Sequence, residues 1–105
     1  MEQEQLGFRA LADVTRRDIL RLLAEKDMTI AEVAENFDMT RAAVKKHLTI
    51  LQEGDLISVH VSGRSRVNAL NPIGLKQMFD WFSYFDAFWE DRLSTLKSEI
   101  EKDLQ

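Results

Sequence analysis

Arg41, Lys45 and Lys46 place three cations in the stretch Thr40–Gln52, which holds no carboxylate. Arg41 and Lys45 are one helical turn apart, so on a helix their charged heads share one side. Thr40 adds a hydroxyl just ahead of them, and His47 an imidazole just behind. A second acid-free stretch, residues 62–70, carries Arg64 and Arg66. Groups of this kind either solvate a helix face or meet a polyanion, to which guanidinium and ammonium donate charge-assisted hydrogen bonds. The chain as a whole argues for the first, with net charge −4 over 105 residues. Local distribution reverses that: residues 80–105 hold seven acids against three bases, so the negative charge belongs largely to the tail. The basic stretches are therefore better read as a surface for a polyanion.

Other chemistries are thinly supplied. The chain has no cysteine, which excludes disulfides, thiolate metal sites and a cysteine nucleophile. His47 and His60 are its only imidazoles, too few for an ordinary zinc site. Asp86, Glu90 and Asp91 fall on one helix face and read as solvating, with no nucleophile–base pair beside them. No enzyme, cofactor or metal is expected. The opening MEQEQLGFRAL lacks a basic n-region, and no stretch approaches the roughly 20 apolar residues of a membrane span. A cytoplasmic protein with no membrane partner is expected. Its length suits one domain, residues 1–105, whose modest core makes a dimer a natural way to bury more surface.

The elements that would position these side chains can be read from periodicity. Leu6, Phe8 and Leu11 suggest a short first helix, interrupted at Asp13 to Thr15. A second follows, with Ile19, Leu20, Leu22 and Leu23 inward, Arg16, Arg17, Asp18, Arg21 and Glu25 outward, and Thr15 or Asp18 as cap. Thr29 and Glu32 have capping-box spacing, so a third helix should start there and bury Ile30, Val33, Ala34 and Phe37 until Asp38 and Met39 break it. Thr40 then caps a helix whose inner face is Ala43, Val44, His47, Leu48 and Leu51. Gly54 should end it in the left-handed conformation. Residues 29–54 are thus a helix-turn-helix pattern.

Beyond it the period falls to two. Ile57, Val59 and Val61 alternate with Ser58 and His60, Ser62 and Gly63 turn the chain, and Val67 and Ala69 share a face of the returning strand. A hairpin over 56–70 after such a helix is a wing. Asn71 and Pro72 open a final helix, 72–104, carrying Leu75, Met78, Phe82, Phe85, Trp89, Leu93, Leu96, Ile100 and Leu104 in steps of three and four. About 45 Å of helix exceeds what a small core can cover. The fold class expected is mainly α with a small β-hairpin: a winged helix-turn-helix with a long C-terminal dimerisation helix. Its interface would use Leu6, Phe8, Phe82, Phe85, Trp89, Leu93 and Leu96. An apolar ligand pocket between paired helices is the second reading of this stripe.

With these elements placed, FRALADVTRRDILRLLAE, MTIAEVAENFDMTRAAVKKHLTILQEGDLI and SGRSRVNAL resemble the opening, helix-turn-helix and wing of the arsenic-repressor (ArsR) family of bacterial transcriptional regulators. Val14 stands where that family usually has proline. The ending FDAFWEDRLSTLKSEIE resembles a branch often encoded beside small START-like (SRPBCC) ligand-binding proteins. Metal-sensing members carry cysteines near the third helix, or spaced Asp, His and Glu on the last. VAENFDM has no cysteine here and the last helix no histidine, so metal sensing is not expected.

The resemblance implies a sequence-specific DNA-binding regulator, most simply a homodimeric repressor acting on an inverted repeat near its own gene. A winged helix that binds protein and not DNA is the alternative, and it would have no need of the cations. Double-stranded DNA and a second copy of the chain are the expected partners. Arg41 is placed to bond guanine bidentately, Ala42 or Ala43 to meet a thymine methyl, and Lys45 and Lys46 to reach bases or phosphate. Thr40 can donate to phosphate, and Arg64 and Arg66 suit the minor groove or flanking backbone. His47 either packs inward or bonds a phosphate.

Overall fold

The computed structural model describes residues 2–104. Two helices come first, α1 (Glu2–Leu11) and α2 (Val14–Glu25), followed by a two-residue strand β1 (Met28–Thr29) and a short α3 (Ile30–Ala34). Then come α4 (Arg41–Glu53), β2 (Ile57–Ser62), β3 (Ser65–Leu70), α5 (Pro72–Ser83) and α6 (Asp86–Asp103). The strands form one antiparallel sheet in the order β1-β3-β2. The core is aliphatic: Ile19, Val33, Val44, Leu51 and Leu56 are wholly buried, with Ile57 nearly so. Each such side chain contributes roughly 1.5–3 kcal/mol by leaving water. Val44, Leu48 and Leu51 recur on one side of α4 and seat it against α2, α3 and the sheet, leaving its other side to solvent. This is a winged helix-turn-helix with a long C-terminal helix.

Several local features depart from the periodicity reading. The cap of α2 is Asp13, not Thr15 or Asp18: its carboxylate accepts the Arg16 backbone N–H at 3.1 Å. Asp13 precedes the first helical residue, and only from there does an oxygen reach the orphan amides of the first turn. The capping box is present, with Glu32 N–H donating to Thr29 Oγ1 and Thr29 N–H to Glu32 Oε1. That helix ends at Ala34, however, and Phe37 packs on the core from the following turn. Gly54 lies at φ −80°, and Asp55 takes the left-handed conformation at φ 60°. Gly54 is needed instead for close approach, since a Cβ there would stand 2.9 Å from the Leu6 carbonyl oxygen.

The sheet also differs. Buried Asn68 looks inward between Val67 and Ala69, and its Nδ2 donates to the Met28 carbonyl at 3.1 Å. That bond ties β3 to β1, a strand of two residues that no alternation could reveal. Val61, expected half-buried, is exposed near the hairpin's tip. The C-terminal stripe runs over α5 and α6, which are separated at Tyr84 and Phe85. There the Phe85 N–H bonds the Phe82 carbonyl, an i→i−3 tightening of the ladder, before α6 resumes with Trp89 N–H on Phe85. No proline or glycine marks the break. Phe85 packs on Trp81 four residues before it, with ring centroids 5.1 Å apart.

The Asp13 cap gives a pH-dependent stability. The Arg16 backbone amide, assisted by the charge of Arg16, outweighs desolvation and holds this carboxyl below its ordinary 3.8. A lowered folded-state pKa stabilises above the unfolded value and is lost as pH falls through the folded one. Asp13→Ala should therefore cost about 1 kcal/mol at neutral pH. In urea titrations, its difference from wild type should shrink once the pH drops below the ordinary aspartate range.

Candidate nucleic-acid interface

Thr40 starts the surface of interest. Its Oγ1 accepts the Ala43 N–H at 3.1 Å, which caps α4 and leaves the hydroxyl hydrogen free to donate outward. Arg41, Ala42, Lys45 and Lys46 follow on the exposed side of α4, none engaged in an ion pair among the described residues. Lys76, by contrast, has Asp80 at 2.9 Å.

The hairpin supplies a second wall. Register pairs Val61 with Arg66 and Val59 with Asn68, so Arg66 shares the inward face of the sheet with Val59 and Asn68. An open groove runs between α4 and this face. Lys45, Thr49 and Gln52 line it from the helix, and Val59, Arg66 and Asn68 from the hairpin, over a floor of Ile30 and Leu48. Lys45 and Arg66 are thereby brought to one concavity. Arg64 is elsewhere: it sits in the two-residue turn after Gly63, whose φ of +63° suits the first position of a tight hairpin turn. His60 lies on the opposite face of the wing, pointing away from the groove with Ser58 and Ser62.

His47 is half-buried, and its Nδ1 lies 3.3 Å from Arg16 Nη1. A guanidinium only donates, so His47 must accept there and carry its proton on Nε2. Arg16 itself, expected on the outer face of α2, is half-buried. Its Nε donates to the Ala10 carbonyl at 2.8 Å and its Nη2 to the Arg9 carbonyl at 3.0 Å, capping the end of α1. One side chain thus joins α1, α2 and α4. Thr49 and Gln52, both exposed groove residues, were missed because attention to charge passes over neutral donors. Their i+4 and i+7 spacing from Lys45 was the available signal.

Among the described residues, no three His, Asp or Glu side chains converge in a way that could hold a metal ion. No helix among the described residues is long and apolar enough to cross a membrane.

The surface can thus offer a basic helix side, neutral donors beside it, and a basic hairpin tip. Comparison with known proteins agrees with that chemistry. Residues 13–59 match the profile described as "bacterial regulatory protein, arsR family". The chain is 37% identical over 78 residues to the transcriptional repressor SdpR of Bacillus subtilis, covering 74% of this chain and 87% of that one. It is 32% identical over 97 residues to the HTH-type transcriptional regulator Rv2034 of Mycobacterium tuberculosis, covering 92% and 88%. Among solved structures, an ArsR family transcriptional regulator, RHA00566, superposes with a TM-score of 0.75 at 33% identity, over 84% of this chain and 97% of that one.

Proposed function

Since the chain belongs to the arsR family of bacterial transcriptional regulators, we propose that it is a homodimeric repressor, free of metal control, that reads an inverted repeat near its own gene. The carrying observation is the exposed cationic side of α4, without ion pairs among the described residues, from which Lys45 lines a groove whose far wall holds Arg66. Thr40, Arg41 and Ala42 at the first turn would enter the major groove, with Lys45 and Lys46 on bases or phosphate and Arg64 and Arg66 on flanking backbone or minor groove. His47, half-buried and tied to Arg16, would act at the edge of this surface. Kinship to a protein named a repressor supports repression over activation. The ending of the chain supports membership of the branch encoded beside START-like proteins.

Nuclease protection of the DNA upstream of its gene should show two inverted half-sites about one helical turn, roughly 34 Å, apart or a multiple of it. Affinity should be the same with added zinc, arsenite or chelator. Uniform protection of arbitrary DNA would overturn the reading as a specific regulator, and metal-dependent release would overturn the metal-free part.

The second copy is inferred from apolar surface left uncovered. Phe8 on α1 meets Trp81 and Phe82 edge-to-face at 5.3 and 6.2 Å, joining Phe8, Trp81 and Phe82 into one patch. Trp89, Leu93 and Leu96 extend it along α6. Phe85 is half-buried within its own chain, so an acidic substitution there would damage the fold as well as any interface. Leu93, 63% exposed, is the cleaner probe. Leu93→Asp should leave the melting of secondary structure intact at high dilution and give a monomer by sedimentation equilibrium.

A further inference from the structure

The groove between α4 and the wing has a floor that DNA alone does not explain. Its volume is about 240 Å³, and Ile30, Leu48 and Val59 line it with apolar atoms from α3, α4 and β2. Ile30 and Val59 are half-buried and Leu48 is buried. Lys45 and Arg66, both exposed, enter the same cavity from its two walls, and neither has an ion-pair partner among the described residues. The walls are fixed before anything binds. Val44, Leu48 and Leu51 hold α4 on the core, and Asn68, 5% exposed, ties β3 to β1 through the Met28 carbonyl.

A phosphodiester would satisfy the two cations but brings no apolar group to the floor, which would stay wet. An uncharged apolar body would cover the floor and leave the cations unanswered. One class answers both: a carboxylate on a short aliphatic chain, its head against Lys45 and Arg66 and its methylenes on Ile30, Leu48 and Val59. A volume under the roughly 300–1,000 Å³ of drug-sized sites keeps that chain short. We propose that this groove is an effector site for a small amphipathic carboxylate. Its occupation excludes DNA, because the ligand takes Lys45 and Arg66 for itself. The exclusion rests on the DNA reading proposed above; the carboxylate site does not.

Hexanoate is the probe, with acetate as a head without a body and hexanol as a body without a head. In proton–nitrogen correlation spectra, hexanoate should shift the backbone amides of Thr49, Val59 and Arg66, saturating at a concentration about tenfold lower than either control. Arg66→Ala should weaken hexanoate about tenfold, and Arg66→Lys should recover part of the loss. Thr49→Trp, which fills the groove from an exposed helix position, should abolish hexanoate binding although both cations remain. In fluorescence anisotropy at constant ionic strength, saturating hexanoate should release operator DNA and the same concentration of acetate should not. Hexanol binding as tightly as hexanoate, shifts spread over every exposed cation, or undiminished binding to Thr49→Trp overturns the site. A saturated protein that still holds operator overturns the exclusion and leaves the site standing. Failure to bind operator when hexanoate is absent overturns the DNA reading, and with it the exclusion.

Discussion

A protein with alanine at Arg41, Lys45 and Lys46 should fold as the wild type does and bind its operator on the order of 10²–10⁴ times more weakly. The three side chains are exposed and have no ion-pair partner among the described residues, so removing them leaves no buried group unsatisfied. Alanine is the best helix former, and α4 keeps its Thr40 cap and its inner Val44, Leu48 and Leu51. Stability should therefore change by less than about 0.5 kcal/mol. The binding loss has two components that salt separates. Arg41→Ala alone should cost about 1–3 kcal/mol and relax preference at one base position in each half-site. Arg64→Ala should weaken binding to operator and scrambled DNA alike and flatten the salt dependence. Fluorescence anisotropy at two salt concentrations, beside circular-dichroism melts, reads both. Undiminished affinity in the triple variant would return these cations to a solvated helix face.

Gly74→Ala should be the most damaging of the glycine-to-alanine changes in this chain. A Cβ on Gly74 would overlap the carbonyl oxygen of Asp55 and lie 2.6 Å from its carbonyl carbon. Both atoms are backbone, and Asp55 is already fixed at a positive φ by the exit from α4, so no side-chain rotation can relieve the overlap. Relief requires α5 to lift from the loop that joins α4 to β2, exposing Met78. The cost should be about 3–5 kcal/mol. For a domain of this size that lowers the melting temperature by roughly 15–30 °C. Gly63→Ala is the control: its φ is +63° but nothing lies within 4 Å, so only backbone strain of about 1–2 kcal/mol is felt. A Gly74→Ala protein melting within a few degrees of wild type would show that α5 does not sit this close.

The helix-turn-helix was legible because its signals are local. The Thr29–Glu32 capping box, the Thr40 cap and the spacing of Val44, Leu48 and Leu51 each need only a few neighbouring residues to be recognised. The cationic side of α4 was equally plain, since charge without a nearby acid shows in the sequence itself. Features that depend on distant partners were not legible. Arg16 reads as a surface residue of α2 until the end of α1 and His47 are brought beside it, across 31 positions in the last case. Asn68 reads as the solvent-facing residue of a strand until β1 supplies the Met28 carbonyl. Gly54 looked like a helix terminator, while its position is dictated by α1 passing overhead. The break at Tyr84 and Phe85 has no sequence mark, because neither proline nor glycine stands there.

The projecting α6 also governs how this molecule moves through solution. The chain has a radius of gyration of 18.2 Å and extends 63 × 31 × 21 Å. A compact domain of 105 residues would have about 13 Å, and 18.2 Å is the value for a compact chain of roughly 260 residues. A single copy is thus more extended than a globular protein of its mass and meets more friction than its mass alone predicts. On a calibrated gel-filtration column it should elute ahead of its true mass, before any pairing occurs. Light scattering or sedimentation equilibrium, which weigh particles instead of sizing them, are the measurements that count copies of this chain.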